Sequence, residues 1–190
     1  MNNIYLVGFM GTGKTLAGSE LARELKWQFI DLDDLIELTE KRSIRDIFAQ
    51  QGEAYFRRLE KHVLYKVSRE KNFVVACGGG IVIDKDNIKT MEETGLIVCL
   101  TATPKVILKR TCGCTDRPLL NVKDPEKQIE LLLKLRAPYY AKADKTIDTS
   151  RLSVKQIVDR IKKLVRSSQF VVRSKIKSKT KIKSKSKKKK

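Results

Sequence analysis

Apolar residues along this chain form short continuous runs, separated by longer stretches in which they recur every three or four positions. The short runs are typical of buried strands and the longer stretches of helices with one apolar face. The predicted strands are residues 3–7, 28–31, 73–77, 96–101 and 145–148. The predicted helices are residues 14–25, 33–41, 43–50, 53–70, 104–111 and 125–140, with a last helix after a Ser153/Gln156 capping pattern.

The clearest of these strands are continuously apolar and show no regular alternation with polar residues. Such strands are typical of a parallel sheet that is covered by helices on both faces. Strands and helices also alternate along the chain, which is the order expected of an α/β fold. We therefore predict a doubly wound, five-stranded parallel sheet, and a chain of 190 residues suits one such domain.

The composition changes after about residue 166. Residues 166–190 contain twelve Lys and Arg and no acidic residue, and without them the net charge of +19 falls to +7. A Lys/Ser-rich segment of this kind cannot bury enough apolar surface to fold. We predict a folded domain over residues 1–166 and a disordered basic tail over residues 167–190, which could contact polyanions without specificity.

The four cysteines, at positions 77, 99, 112 and 114, do not suggest a disulfide framework. Cys77 and Cys99 lie in apolar runs, where cysteine packs as a small hydrophobic residue. Cys112 and Cys114 lie in a polar loop and could in principle bind a metal, although free thiols are the simpler prediction. Neither a secretory signal nor a membrane-spanning run is found, so we expect a cytoplasmic protein.

Residues 8–15, Gly-Phe-Met-Gly-Thr-Gly-Lys-Thr, match the phosphate-binding pattern G-x-x-x-x-G-K-[ST] between a predicted strand and a predicted helix. Backbone N–H groups of such a loop surround phosphates, and the helix that follows adds the positive end of its dipole. Lys14 is expected to reach the β- and γ-phosphates of ATP, and Thr15 to bind Mg²⁺. The candidate nucleotide-binding residues are Gly8, Gly11, Thr12, Gly13, Lys14 and Thr15.

Several further motifs follow in order along the chain. They are Asp31-Leu32-Asp33, the stretch from Gly52 to Glu60, Gly78-Gly79-Gly80, Arg117-Pro118-Leu119-Leu120, and Arg136 with Tyr139. Taken together with the phosphate-binding loop, this series resembles the shikimate kinase family over about residues 3–160. The resemblance implies the strand order 2-3-1-4-5 of nucleoside monophosphate kinases, a substrate-binding segment over residues 33–61 and a lid over residues 112–124.

The residues themselves also indicate an acceptor site. Strand ends in an open parallel sheet face the ligand crevice, so Asp33 and the Gly triplet are predicted to point towards a substrate. Arg57 and Glu60 lie three residues apart on one helix, where a carboxylate can orient a guanidinium for binding a substrate carboxylate. These residues alone leave other interpretations open, namely a helix cap, a surface ion pair and a flexible Gly turn.

The resemblance implies transfer of the ATP γ-phosphoryl group to shikimate, with Mg²⁺, giving shikimate 3-phosphate and ADP for aromatic amino-acid biosynthesis. It implies that Asp33 holds the reacting hydroxyl and that Asp31 lies near Mg²⁺, acting through water. It places Arg57 and Arg136 at the substrate carboxylate. The implied substrate-binding residues are Asp33, Arg57, Gly78, Gly79, Gly80 and Arg136.

The resemblance also implies three arginines around the nucleotide. Arg117, in the lid, would meet charge that develops on the γ-phosphate, so the catalytic candidates are Lys14, Asp33 and Arg117. Arg110 and Arg151 would flank the adenine. Two alternatives remain at this point: another small-metabolite kinase of this fold, such as gluconate kinase, and a nucleic-acid-associated NTP-binding protein that uses the basic tail. We expect a monomer.

Overall fold

The computed structural model of the protein describes residues 3–112 and 122–166. Its five strands are β1 (Asn3–Val7), β2 (Gln28–Asp31), β3 (Phe73–Ala76), β4 (Gly95–Thr101) and β5 (Lys145–Asp148). They form one sheet in the order β2-β3-β1-β4-β5, and every neighbouring pair is parallel. The predicted fold class and strand order are therefore confirmed.

Seven helices connect and cover the strands within the described residues. They are α1 (Lys14–Leu25), α2 (Leu32–Glu40), α3 (Ile44–Ser68), α4 (Lys85–Thr94), α5 (Pro104–Thr111), α6 (Pro125–Tyr140) and α7 (154–166). No described helix is both long enough and apolar enough to cross a membrane.

The sheet is apolar on both faces because each face supports its own layer of helices. On β1, Tyr5 and Val7 belong to the buried cluster formed with α2, α3 and α4, whereas Ile4 and Leu6 belong to the cluster formed with α1 and α7. This is why the strands show no polar alternation. Cys77 is also fully buried, as predicted, and burial raises the pKa of its thiol well above the ordinary value.

Helix α4 is an element that the hydrophobic pattern does not predict. A short 3₁₀ turn (Ile81–Ile83) leads into it, and the Asp84 carboxylate caps it by accepting a hydrogen bond from the Asp86 N–H at 2.8 Å. Only Ile88 and Met91 among its larger apolar side chains are buried against the sheet. The sequence signal for this helix is weak, because it consists only of an Asp cap and two apolar residues three positions apart.

Helix α3 is interrupted at Gly52, where φ is 76° and ψ is 173°. This backbone conformation is essentially restricted to glycine, so the helix changes direction there. The two predicted helices, 43–50 and 53–70, therefore correspond to the two parts of α3. The Ser43 capping pattern is confirmed, since its hydroxyl accepts a hydrogen bond from the Asp46 N–H at 3.1 Å. The second part of α3 carries Glu60, whose carboxylate lies beside Gly78, just after β3.

A third buried cluster lies under the phosphate-binding loop. Phe9 packs there against Ala102, Ile107 and Ile129, which joins the loop to α5 and α6. These two helices border residues 113–121. The predictions that concern those residues, including Arg117 and Cys114, and those for the tail over 167–190, lie outside the described residues.

Candidate active site

The candidate residues gather at the edge of the sheet where the strands end. The phosphate-binding loop follows β1, Asp31 is the last residue of β2, and the Gly triplet follows β3. Because β1 lies beside β3, the loop and the triplet are neighbours, and a Cβ placed on Gly79 would lie 3.5 Å from the Gly8 carbonyl oxygen. One crevice therefore combines the nucleotide candidates with the acceptor candidates.

The phosphate-binding loop is shaped by three glycines with positive φ, namely Gly8 at 134°, Gly11 at 72° and Gly13 at 93°. A Cβ on Gly8 would lie 2.1 Å from the Leu100 carbonyl oxygen, so only glycine fits against β4 at this position. The Lys14 ammonium crosses the loop and donates hydrogen bonds to the carbonyls of Gly8 and Phe9, each at 3.0 Å. Its charge is thus held at the mouth of the loop.

Thr12 has an inward-facing side chain. It is fully buried and its hydroxyl donates to the Phe9 carbonyl at 2.7 Å, so the side chain shapes the loop and any phosphate contact would come from its backbone. The Thr12 carbonyl in turn accepts a hydrogen bond from the buried Thr149 hydroxyl at 3.0 Å. Thr149 follows β5, and no motif in the sequence marks it as part of the site.

Arg110 fastens the end of α5 to the nucleotide side of the crevice. Its guanidinium donates to the Gly11 carbonyl at 3.2 Å and to the Thr149 carbonyl at 2.9 Å. Arg151 is exposed two residues beyond Thr149. Both arginines therefore lie on the side expected for the adenine, while their contact with it stays a prediction.

Thr15 and Asp31 meet at the position proposed for Mg²⁺. The Thr15 hydroxyl donates to Asp31 Oδ2 at 2.7 Å, and Asp31 Oδ1 accepts from the Asp33 N–H at 3.1 Å. Asp31 therefore caps α2 and also faces the loop, so the capping and metal interpretations are compatible. A hydroxyl and a carboxylate suit Mg²⁺, which prefers oxygen ligands and takes most of them from phosphates and water.

Asp33 and Glu60 converge on Gly78. A Cβ on Gly78 would lie 2.8 Å from Asp33 Oδ1 and 2.7 Å from Glu60 Oε1. The first glycine of the triplet therefore leaves room for two carboxylates, one from α2 and one from α3. This argues against a merely flexible Gly turn.

Arg57 is held in one orientation by carboxylates on both sides. Its guanidinium donates to Glu60 at 2.8 Å and to Glu53 at 2.9 Å, and Glu60 is 0% exposed. Burial raises the pKa of the Glu60 carboxyl to about 7, and the Arg57 charge opposes that rise. The pair is therefore not a surface ion pair. A Cβ on Gly80 would lie 2.5 Å from either terminal nitrogen of Arg57.

Arg136 approaches the same stretch of backbone from α6. Its Nη1 lies 3.4 Å from the position of a Cβ on Gly79, and its guanidinium carbon lies 5.7 Å from the centre of the Phe9 ring. Arg57 against Gly80 and Arg136 against Gly79 thus place two cations on adjacent residues of one loop. Such a pair suits a carboxylate on a small substrate.

Tyr140 also contributes to this side, and the sequence analysis named its neighbour Tyr139 instead. The Tyr140 hydroxyl donates to the Gly79 carbonyl at 2.8 Å, whereas the Tyr139 ring packs against the edge of the core cluster and has the Lys142 ammonium 5.6 Å from its centre. Both tyrosines lie near Arg136 in the sequence. At three and four residues after Arg136, both tyrosines fall on its side of the helix, so helical spacing alone does not distinguish them.

The fold and the crevice together define a P-loop kinase of the nucleoside monophosphate kinase type. Comparison with known proteins narrows this class. The family model for shikimate kinase matches residues 10–166. A shikimate kinase from Caldanaerobacter subterraneus subsp. tengcongensis is 47% identical over 161 residues, which is 85% of this chain and 94% of that protein.

Two further relatives agree. A shikimate kinase from Thermoanaerobacter pseudethanolicus is 44% identical over 161 residues, again 85% of this chain and 94% of that protein. The solved structure of shikimate kinase from Acinetobacter baumannii, in complex with shikimate, superposes with a TM-score of 0.85 at 37% identity, covering 88% of this chain and 94% of that one. The chain belongs to the shikimate kinase family.

Proposed function

We propose that this crevice transfers the γ-phosphoryl group of ATP to the 3-hydroxyl of shikimate, giving shikimate 3-phosphate and ADP. One observation carries the proposal: the two guanidinium groups of Arg57 and Arg136 adjoin the Gly triplet, which itself adjoins the phosphate-binding loop. A carboxylate on that triplet would hold its ring close to the phosphate held by Lys14. Membership of the family and the shikimate-bound Acinetobacter relative support the same acceptor.

On the nucleotide side, backbone N–H groups of the loop bind the phosphates of ATP. They are those of Gly8, Gly11, Thr12 and Gly13. Lys14 neutralises the β- and γ-phosphates, and Thr15 with Asp31 holds Mg²⁺, Asp31 through water. When bound, Mg²⁺ offsets the negative charge that spreads over the phosphate oxygens during transfer. Arg110 and Arg151 flank the adenine, and Arg117 approaches the γ-phosphate.

On the acceptor side, Asp33 accepts a hydrogen bond from the reacting hydroxyl and draws its proton as the new phosphate bond forms. Arg57 and Arg136 bind the substrate carboxylate, while Gly78, Gly79 and Gly80 allow the ring to approach the backbone. Glu60 keeps Arg57 in place. Most of the rate enhancement then comes from positioning the two reactants and from neutralising charge.

The alternatives find no support in the comparisons, since the relatives described above are all shikimate kinases. Neither gluconate phosphorylation nor a nucleic-acid-associated NTP-binding role is carried by a feature of the crevice. We further propose that the protein is a monomer of the cytoplasm and that its basic tail makes non-specific contacts with polyanions.

A coupled assay of ADP release tests the proposal directly. Shikimate, gluconate, nucleoside monophosphates and RNA are compared side by side as acceptors, with ATP and Mg²⁺ present. We expect rapid ADP release when shikimate is the acceptor and little release with the other three. A higher kcat/KM with any other acceptor would contradict the proposed function, and ATP hydrolysis that is independent of every acceptor would do the same.

A further inference from the structure

Tyr140 carries a buried hydroxyl that joins two parts of the acceptor site. The residue is 7% exposed and its ring packs in the large core cluster, so the phenol has a fixed position. Its hydroxyl donates to the Gly79 carbonyl at 2.8 Å, and Arg136 Nη1 and the Tyr140 hydroxyl lie 3.4 and 3.6 Å from the position of a Cβ on Gly79. Arg136 and Tyr140, which lie on one helix, therefore both adjoin Gly79, and the Tyr140 hydroxyl joins that helix to the backbone of the Gly triplet.

Helix α6 needs a contact of this kind at this point. Pro138 lies between Arg136 and Tyr140 inside the helix and has no N–H to donate to the carbonyl one turn earlier. The last turn is therefore held less firmly by its own backbone. The phenol ties that turn to the Gly triplet that follows β3, which is remote in sequence.

We propose that Tyr140 is a positioning residue that holds the Arg136 guanidinium at a fixed distance from Gly79, and so sets the affinity of the crevice for the acceptor carboxylate. This rests on the proposed function, in which Arg136 binds that carboxylate. Tyr140 itself does not touch the substrate. Its hydroxyl acts by tying the helix that carries Arg136 to the Gly79 carbonyl.

The test compares Tyr140→Phe with Tyr139→Phe. Phenylalanine keeps the ring packing in both variants, and the Tyr139 hydroxyl makes no hydrogen bond within the described residues, so the pair isolates one hydroxyl. We expect Tyr140→Phe to raise the KM for shikimate about three- to tenfold, the size of one hydrogen bond, with the ATP KM little changed. Tyr139→Phe should behave as the wild type. An equal KM for shikimate in the two variants would overturn the proposal.

A merely structural role is distinguished by repeating Tyr140→Phe in an Arg136→Ala background. If the hydroxyl acts through Arg136, its removal should then change kcat/KM for shikimate by less than about twofold, because interacting residues are not additive. The same loss in both backgrounds would contradict the proposal. A wild-type enzyme that fails to phosphorylate shikimate would instead refute the proposed function, so the two failures are distinguishable.

Discussion

The two sides of the crevice differ in the chemical groups that form them. The nucleotide side is mostly backbone: three glycines with positive φ form the loop, and even Lys14 lies against the carbonyls of the loop. The acceptor side is mostly long side chains, which come from α2, α3 and α6 and meet over the Gly triplet. Backbone N–H groups suit a ligand that many proteins share, whereas side chains can select one acceptor.

The two sides also differ in how they are held rigid. The loop is held by its own local hydrogen bonds and by packing of Phe9 beneath it. The acceptor side depends on a buried carboxylate, Glu60, that orients Arg57, and on a buried phenol, Tyr140, that ties the helix of Arg136 to the Gly79 carbonyl. A change to the loop should therefore lower the rate of phosphoryl transfer, whereas a change to Arg57, Arg136 or the residues that hold them should affect mainly the binding of the acceptor.

The largest effect is expected for Lys14→Ala on the nucleotide side. Loss of the ammonium removes the charge that meets the transferring phosphate, and we expect kcat to fall roughly 10³- to 10⁵-fold. The fold should survive, because Lys14 is only partly buried. Steady-state ADP release and a melting curve measure both quantities. Lys89→Ala, an exposed lysine on α4, serves as the control, and near-normal turnover by Lys14→Ala would contradict the nucleotide assignment.

Asp33→Asn should have the next largest effect and should fall on the acceptor side. The amide keeps the size of the carboxylate but cannot take the proton of the reacting hydroxyl, so kcat should drop roughly 10²- to 10⁴-fold. Binding of ATP, measured by calorimetry, should change little. Asp34→Asn, the neighbouring carboxylate on α2, is the matched control. If the variant lost only ATP affinity, Asp33 would have to be assigned to nucleotide binding and not to the acceptor.

The phosphate-binding loop was predictable because its residues are consecutive, whereas Thr149, whose hydroxyl donates to the Thr12 carbonyl, is remote in sequence and was missed. Eight adjacent positions, from Gly8 to Thr15, contain the whole loop, and the strand and helix around it follow from periodicity alone. The parallel sheet was predictable for the same reason, since each strand is a local apolar run. Its order came only from resemblance, because neighbours in the sheet are set by contacts between distant residues.

The acceptor side was predictable only in part. Arg57 and Glu60 are three residues apart, so their pairing could be inferred, but the complete burial of Glu60 could not. Glu60 is buried beside Gly78, and this contact joins two elements that are separate in the sequence. Tyr140 was missed because its partner, Gly79, lies 61 residues away. Contacts of that range leave no periodic signal in a single sequence.

Burial of Glu60 should make the stability of the protein depend on pH. Its pKa is raised from an ordinary 4.5 to about 7, so between these values the folded protein retains a proton that the unfolded chain has released. The free energy of unfolding should therefore fall by up to about 3 kcal/mol as pH rises from about 4.5 to about 7. Above that range it should level off.

Glu60→Gln should remove this part of the slope, because glutamine does not titrate. The change of the unfolding free energy with pH is measured by urea denaturation over that pH range, without ligands. Glu53→Gln is the control, since Glu53 pairs with the same guanidinium but has a side chain that is 64% exposed. An unchanged slope in Glu60→Gln would mean that the ion pair with Arg57 keeps Glu60 charged throughout.

Gly80→Ala should have a smaller effect that is confined to the acceptor. Its φ of −99° is open to any residue, and the added Cβ meets only the end of the Arg57 side chain. The guanidinium must move, which should raise the KM for shikimate about tenfold, as expected when one charge-assisted hydrogen bond is lost. Arg57→Ala should do the same, and combining the two changes should add little. If the increases in shikimate KM from the two changes were independent and additive, Gly80 would not act through Arg57.

Deletion of residues 167–190 should have the smallest effect on turnover. The composition predicts a solvated polycation, and neither side of the crevice uses a residue beyond 151. We expect kcat and both KM values to stay within about twofold, as is usual for changes at solvent-exposed positions. Retention on heparin or RNA at low salt should be lost, because each Lys that neutralises a phosphate adds to a salt-dependent affinity. A large fall in shikimate turnover would show that the tail supports the acceptor side, and a fall in ATP affinity alone would assign it to the nucleotide side.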